Sequence, residues 1–172
     1  MTSNGSPGAG PRVSRLGHVG LYCRDLAKMR DWYRDTLGLT VADEAIDGIG
    51  IVFLTSRPDE EHHELALAKG RETDSDVPMV QQVSWKVDSI EEVQAFHRLF
   101  KERNIPVQYE VTHGNAVSIY FYDPEGNRNE VYYSVKADVR QPFRKSINLE
   151  QLPEQVLAEN RRLIEQGGGR PT

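Results

Sequence analysis

Four side chains able to donate to a metal ion recur at equivalent places in the two halves of this chain. His18 opens a strand-like run (RLGHVGLYC), and Glu64 lies in the last strand-like run of the first half (HHELALA). Gln82 opens the matching run of the second half (QQVSWKV), and Glu130 lies in its last (NEVYYSV). The members of each pair are 46 and 48 residues apart. Imidazole, carboxylate and amide groups are all donors to divalent cations, and a duplicated unit with one donor at each end can surround a single ion. A glutamate on the wet face of an antiparallel sheet is ordinary when met alone. The symmetric set of four is what points to a metal centre.

The elements that position these residues follow from periodicity. Alternation over 15–23 predicts a strand, and Asp25 caps a helix over 26–37 whose Leu26, Met29, Trp32, Tyr33 and Leu37 share one face, with Gly38 ending it. Strands are expected at 39–46, 49–55 and 62–69, the first two split by Asp47-Gly48. Polar residues 71–78 read as a linker. The order then repeats: a strand at 80–87, a helix at 90–103 opened by the capping box Ser89/Glu92, and strands at 106–111, 117–123 and 128–135. Each half is therefore β-α-β-β-β, over modules 13–70 and 79–136. Pro153 suits the first turn of a further helix to about Gln166, within an extension that begins at 137. Whether that helix covers its own domain or a neighbouring subunit is open. Residues 1–12 read as a disordered arm and 167–172 as a flexible tail.

Strand parity separates two faces. Val19, Leu21 and Cys23 oppose His18, Gly20 and Tyr22; Leu65 and Leu67 oppose Glu64, Ala66 and Ala68. Val83, Trp85 and Val87 oppose Gln82, Ser84 and Lys86, and Val131 and Val135 oppose Glu130, Tyr132 and Ser134. Every ligand candidate falls on the more polar face, leaving the other to pack on the helices. By the same parity His62, not His63, shares a face with Glu64.

Composition narrows the function classes. The formal net charge of −5 and pI near 5.6 give no basic footprint for nucleic acid or an anionic membrane. No apolar stretch approaches the roughly 18 residues of a membrane span. A single cysteine, Cys23, agrees with a reducing, cytoplasmic setting and alternates in phase with core residues. His97, on the second helix beside its apolar stripe, reads as a surface residue.

The double β-α-β-β-β pattern, with the motifs HVGLYCRDL and FYDPEGNRNEVYY, resembles the vicinal oxygen chelate superfamily: glyoxalase I, epimerases, type I extradiol dioxygenases and bleomycin-binding proteins. The resemblance spans about 15–136. It implies an α+β fold in which two βαβββ modules form an open, U-shaped mixed sheet around a divalent metal, with His18, Glu64, Gln82 and Glu130 as ligands, in a homodimer. Three features resemble the extradiol enzymes, of which this chain would be a one-domain form. His62-His63 is similar to a histidine pair of which one is an acid/base; His113 resembles a histidine flanking the metal; Tyr120, ten residues before Glu130, resembles a tyrosine beside it. The family pairing favours His63 as the acid/base, against strand parity. Gln82 departs from the pattern, standing where those enzymes carry a second histidine.

Two chemistries divide on Glu64. If it does not bind the ion, His18, Gln82 and Glu130 leave three open positions, enough for a catecholate and O₂. Fe(II) is then the expected metal and a small aromatic diol the substrate. If Glu64 binds, two positions remain, suiting a substrate with vicinal oxygens handled through an enediolate by a lyase or isomerase with Ni, Co, Zn or Mn. A third reading is a non-catalytic binding protein whose groove is lined by Tyr22, Tyr120, Tyr122 and Tyr132.

Overall fold

Caps fix both long helices. In the computed structural model, which describes residues 13, 15–72, 77 and 80–167, the Asp25 carboxylate accepts from the Lys28 amide and Gly38, at φ 71°, closes α1 (Leu26–Leu37). Ser89 and Glu92 form the reciprocal box that opens α2 (Ile90–Glu102). The expected arm at 1–12 lies outside the described residues, as does the expected tail at 167–172 except for Gly167, which is the last residue of a helix.

The first module contains β1 (Val19–Cys23), α1, β2 (Thr40–Ala45), β3 (Ile51–Thr55) and β4 (Leu65–Lys69), in a four-stranded sheet of order β1-β4-β3-β2. The second contains β5 (Val83–Val87), α2, β6 (Val107–Thr112), β7 (Ala116–Tyr122) and β8 (Arg128–Ser134). Its sheet runs β5-β8-β7-β6 and gains a short edge strand, β9 (Lys145–Ser146), from the C-terminal extension. The expected α+β fold of two βαβββ modules is present as two mixed sheets, each hydrogen-bonded within itself.

The apolar strand faces pack against the helices as parity required. Leu21, Cys23, Leu65 and Leu67 join Met29 and Tyr33 in one core; Val117, Ile119, Phe121 and Val131 join Val93 and Phe100 in the other. Trp32, Leu37 and Trp85 pack against both.

The Asp123-Pro124-Glu125-Gly126-Asn127 turn clasps one module to the other. Buried Asp123 accepts from the Tyr33 hydroxyl at 3.0 Å, and Asn127 donates to the same carboxylate. The Glu125 carboxylate accepts from the amides of Arg24 and Asp25, at 2.8 and 2.9 Å, and pairs with Arg71 at 3.6 Å. Arg71, expected in a linker, is thus buried. Burial raises the Asp123 carboxyl above its usual range, although Asn127 and Tyr33 oppose the shift.

The extension covers its own chain. Ile147, Leu149 and Val156 enter the second core, and α3 (Pro153–Gly167) brings Asn160 to Thr112. His97, expected at the surface, is buried and pairs with Glu110 of β6 at 3.0 Å. Its partner comes from another element, so the helix pattern carried no sign of it.

Candidate functional site

The repeat places its donors unevenly, and the sheet register shows why. In β1 and β4, parallel partners are Val19 with Leu65; in β5 and β8 they are Val83 with Asn129. The two pairings have the same offset. Glu64, one residue before Leu65, is therefore level with His18, whereas Glu130 lies opposite Ser84, two residues past Gln82. A step of two residues keeps the same face and moves about 6.6 Å along a strand. Glu130 consequently sits inside its sheet, and Glu64 sits at the edge of its own.

In the second module the site is tight. Glu130, 6% exposed, accepts from the Ser84 hydroxyl at 2.5 Å and the Gln82 amide at 3.1 Å. Gln82 also donates to Ser84 at 2.8 Å, while Arg128 approaches its amide oxygen at 3.4 Å. Tyr120 stands directly across from Glu130 in the β7–β8 ladder. Burial and then the Glu130 carboxylate push its phenol well above the usual range. His113 reaches Tyr120 despite its longer loop: Nε2 lies 3.1 Å from the hydroxyl, and Nδ1 lies 2.9 Å from the Phe143 carbonyl oxygen. A carbonyl can only accept, so Nδ1 carries the proton of the neutral ring and Nε2 accepts from Tyr120.

In the first module the side chains are looser. The exposed His18 ring lies 4.3 Å from that of His63, which also rests 4.5 Å from Phe53. His62 is exposed and meets His63 through an Nδ1–Nδ1 contact of 2.9 Å. The parity expectation of an inward His62 therefore does not describe the structure: β4 begins at Leu65, and strand alternation does not extend back to 62 and 63. Burial, then the neighbouring His18 and His62, lower the His63 imidazole below its ordinary value.

Glu64 is engaged elsewhere. Its Oε2 accepts from the Ser56 amide and hydroxyl at 2.8 and 2.6 Å, and its Oε1 from Arg57 at 3.0 Å. Burial would raise its pKa, but Ser56 and Arg57 together lower it.

A cleft of about 850 Å³ connects the halves, lined among others by His18, Arg57, Glu64, Gln82, Ser84 and Trp85. Glu130 is outside that lining and is hydrogen-bonded to two residues of it, Gln82 and Ser84. Among the described residues, no three His, Cys, Asp or Glu side chains gather into a group able to hold a metal ion. The lining itself offers the His18 imidazole, the Gln82 amide and the Glu64 carboxylate, donor types that hard or borderline divalent cations accept. Tyr132 is half-buried beside Glu130 on the same strand, and Tyr22 is 54% exposed.

Sequence reasoning missed Arg57 and Ser56, which show no periodic or motif signal, and the Phe143 carbonyl, which no side-chain pattern can mark. Ser84 was legible by parity on the face of Gln82, though its bond to Glu130 was not.

Comparison with known proteins agrees with this architecture. A profile described as the Glyoxalase/Bleomycin resistance protein/Dioxygenase superfamily matches residues 15–131. The chain is 30% identical over 127 residues to a manganese-dependent 2,3-dihydroxybiphenyl 1,2-dioxygenase of Geobacillus genomosp. 3, covering 72% of this chain and 38% of that protein. It is also 30% identical over 118 residues to biphenyl-2,3-diol 1,2-dioxygenase 2 of Rhodococcus globerulus, covering 66% and 59% respectively. The chain thus spans less than two thirds of either relative. The fold is similar to that of a lactoylglutathione lyase from Agrobacterium tumefaciens (TM-score 0.56, 23% identity, 72% of this chain and 96% of that one). It is likewise similar to the fosfomycin resistance protein FosX of Listeria monocytogenes, in a structure with Mn(II) and sulfate (TM-score 0.58, 17% identity, 73% and 94%).

Proposed function

The chain belongs to the Glyoxalase/Bleomycin resistance protein/Dioxygenase superfamily, and from that premise we propose that it is a metal-dependent extradiol-type dioxygenase acting on a vicinal aromatic diol. The observation that carries this reading is the commitment of the Glu64 carboxylate to Ser56 and Arg57. With Glu64 so held, His18, Gln82 and Glu130 are the donors, and three sites of an octahedral ion stay open. The dioxygenase names of the two 30%-identical relatives support the same choice.

His18, Gln82 and Glu130 would hold Fe(II) or Mn(II); the neutral amide oxygen of Gln82 is a harder donor than imidazole and suits Mn(II) well. The bound ion would supply Lewis acidity toward the diol and the site at which diol and O₂ meet. Ser84 orients the Glu130 carboxylate by donating to its Oε2. His63, its pKa lowered by burial and two neighbouring imidazoles, is biased toward the neutral form that can take a proton from the diol. Tyr120 and His113 form a hydrogen-bonded pair on the opposite side; with its proton given to His113 Nε2, the Tyr120 oxygen is left to accept a hydrogen bond from a diol hydroxyl. In the overall reaction a ring carbon–carbon bond beside the diol breaks, and both atoms of O₂ enter the product.

The test is O₂ uptake by anaerobically metal-loaded protein across a panel of catechols, read with the visible absorbance of the ring-opened product. Uptake matched by a yellow product is expected with Fe(II) or Mn(II). No uptake across the panel, with conversion of a hemithioacetal or another enediolate-forming substrate instead, would replace this reading by a lyase or isomerase. Failure to retain any divalent metal would leave a sequestering protein.

A further inference from the structure

The His113 loop is held from four directions by the C-terminal extension. Gln141 donates from Nε2 to the His113 carbonyl at 2.8 Å, and its Oε1 accepts from the Phe143 amide at 2.9 Å. That second bond sets the Phe143 peptide whose own carbonyl receives His113 Nδ1–H. Asn160 of α3, fully buried, donates to the Gly114 carbonyl at 3.0 Å and also meets the Thr112 hydroxyl. Gly114 has φ +76°, and a Cβ there would come within 2.7 Å of the Val139 side chain. The loop therefore has a left-handed residue and no room for another side chain at the point where the extension crosses it.

Such a clamp does more than bury apolar surface. An imidazole free to flip or change tautomer would offer Tyr120 either a donor or an acceptor. With Nδ1–H fixed on a backbone carbonyl, a neutral His113 turns an acceptor toward the Tyr120 hydroxyl, which has the Glu130 carboxylate as its other acceptor.

We propose that the C-terminal extension sets the tautomer and direction of His113, and that Gln141 is the positioning residue that keeps the clamp closed. As a statement about turnover this rests on the dioxygenase reading; as a statement about the imidazole it stands by itself. Gln141 touches neither the cleft nor the metal donors, and its side chain is exposed, so its replacement leaves the cores intact.

The experiment is ¹⁵N NMR of histidine-labelled full-length protein at neutral pH, with His113→Asn to assign the signal. It is paired with catechol turnover by the metal-loaded protein. The wild type should show a single His113 tautomer, protonated at Nδ1 with an unprotonated Nε2. Gln141→Ala should give a mixed tautomer and about tenfold lower kcat, the fold-change expected for one weakened hydrogen bond, with KM nearly unchanged. A wild-type His113 protonated at Nε2, or a Gln141→Ala protein with an unchanged tautomer, overturns the proposal. If the tautomer is fixed and depends on Gln141 while no diol is cleaved, the clamp is upheld and the dioxygenase reading fails.

Discussion

The two sides of the cleft descend from one repeated unit yet hold their carboxylates in opposite ways. Glu64, just before β4, is partly buried and ion-paired with Arg57. Glu130, two residues deeper along β8, is buried and receives only neutral donors, Ser84 and Gln82. A carboxylate already paired with a guanidinium has lost most of its attraction for a cation. One that accepts neutral hydrogen bonds in a buried site keeps its charge available. A shift of two residues preserves the face and changes the company, so a symmetric sequence pattern produces an asymmetric site.

That contrast requires the modules to keep a fixed relation, and its strongest test is the clasp between them. Glu125→Ala leaves the Arg71 guanidinium buried without its carboxylate, so unfolding in urea should show a loss of about 3–5 kcal/mol. A loss below about 1 kcal/mol would mean that the clasp does not set the geometry of the cleft. Within the second half, Ser84→Ala removes the hydroxyl that orients Glu130. Divalent-metal affinity should fall about 10- to 100-fold, and an unchanged affinity would separate Glu130 from the ion. Tyr120→Phe should lower kcat about tenfold while leaving metal occupancy alone, since it deletes one hydrogen bond beside the reacting oxygens.

The first half should respond least. Arg57→Ala breaks a partly exposed pair and should cost no more than about 1 kcal/mol. The sign of its pH dependence follows from the lowered Glu64 pKa: a carboxylate stabilised in the folded state contributes fully above its unfolded pKa and loses that contribution as pH falls through the folded value. Wild type and Arg57→Ala should therefore differ in melting temperature near pH 7 and converge at acid pH. A gap that persists at low pH would show that Arg57 stabilises the fold without Glu64.

Most of the scaffold could be read from local signals, because caps act within a few residues. Asp25 and Gly38 bound α1 at both expected ends, and Ser89 with Glu92 set the start of α2. Strand starts were less legible: β4 begins at Leu65 and β5 at Val83, each three residues later than the apolar pattern indicated. That difference carried into the site, since strand parity puts His62 on the face of Glu64 while the family resemblance favours His63, and alternation does not reach back to either. The equivalence of the donor pairs was visible in their spacing, but its two-residue inequality acquired meaning only with the strand register. Partners from distant elements, Glu110 for His97 and Phe143 for His113, left no trace in local sequence. Among the described residues no helix is long and apolar enough to cross a membrane, in line with the absence of an apolar run.

The account rests on Glu130 being a metal donor and Glu64 not being one. The direct measurement is anaerobic titration of wild type, Glu64→Ala and Glu130→Ala with Mn(II), followed by the EPR signal of the free ion. Glu130→Ala should lose at least about 100-fold in affinity, exceeding the effect of an outer partner, and Glu64→Ala should bind within about threefold of wild type. Equal, large losses in both variants would contradict the account and make the cleft a four-donor site.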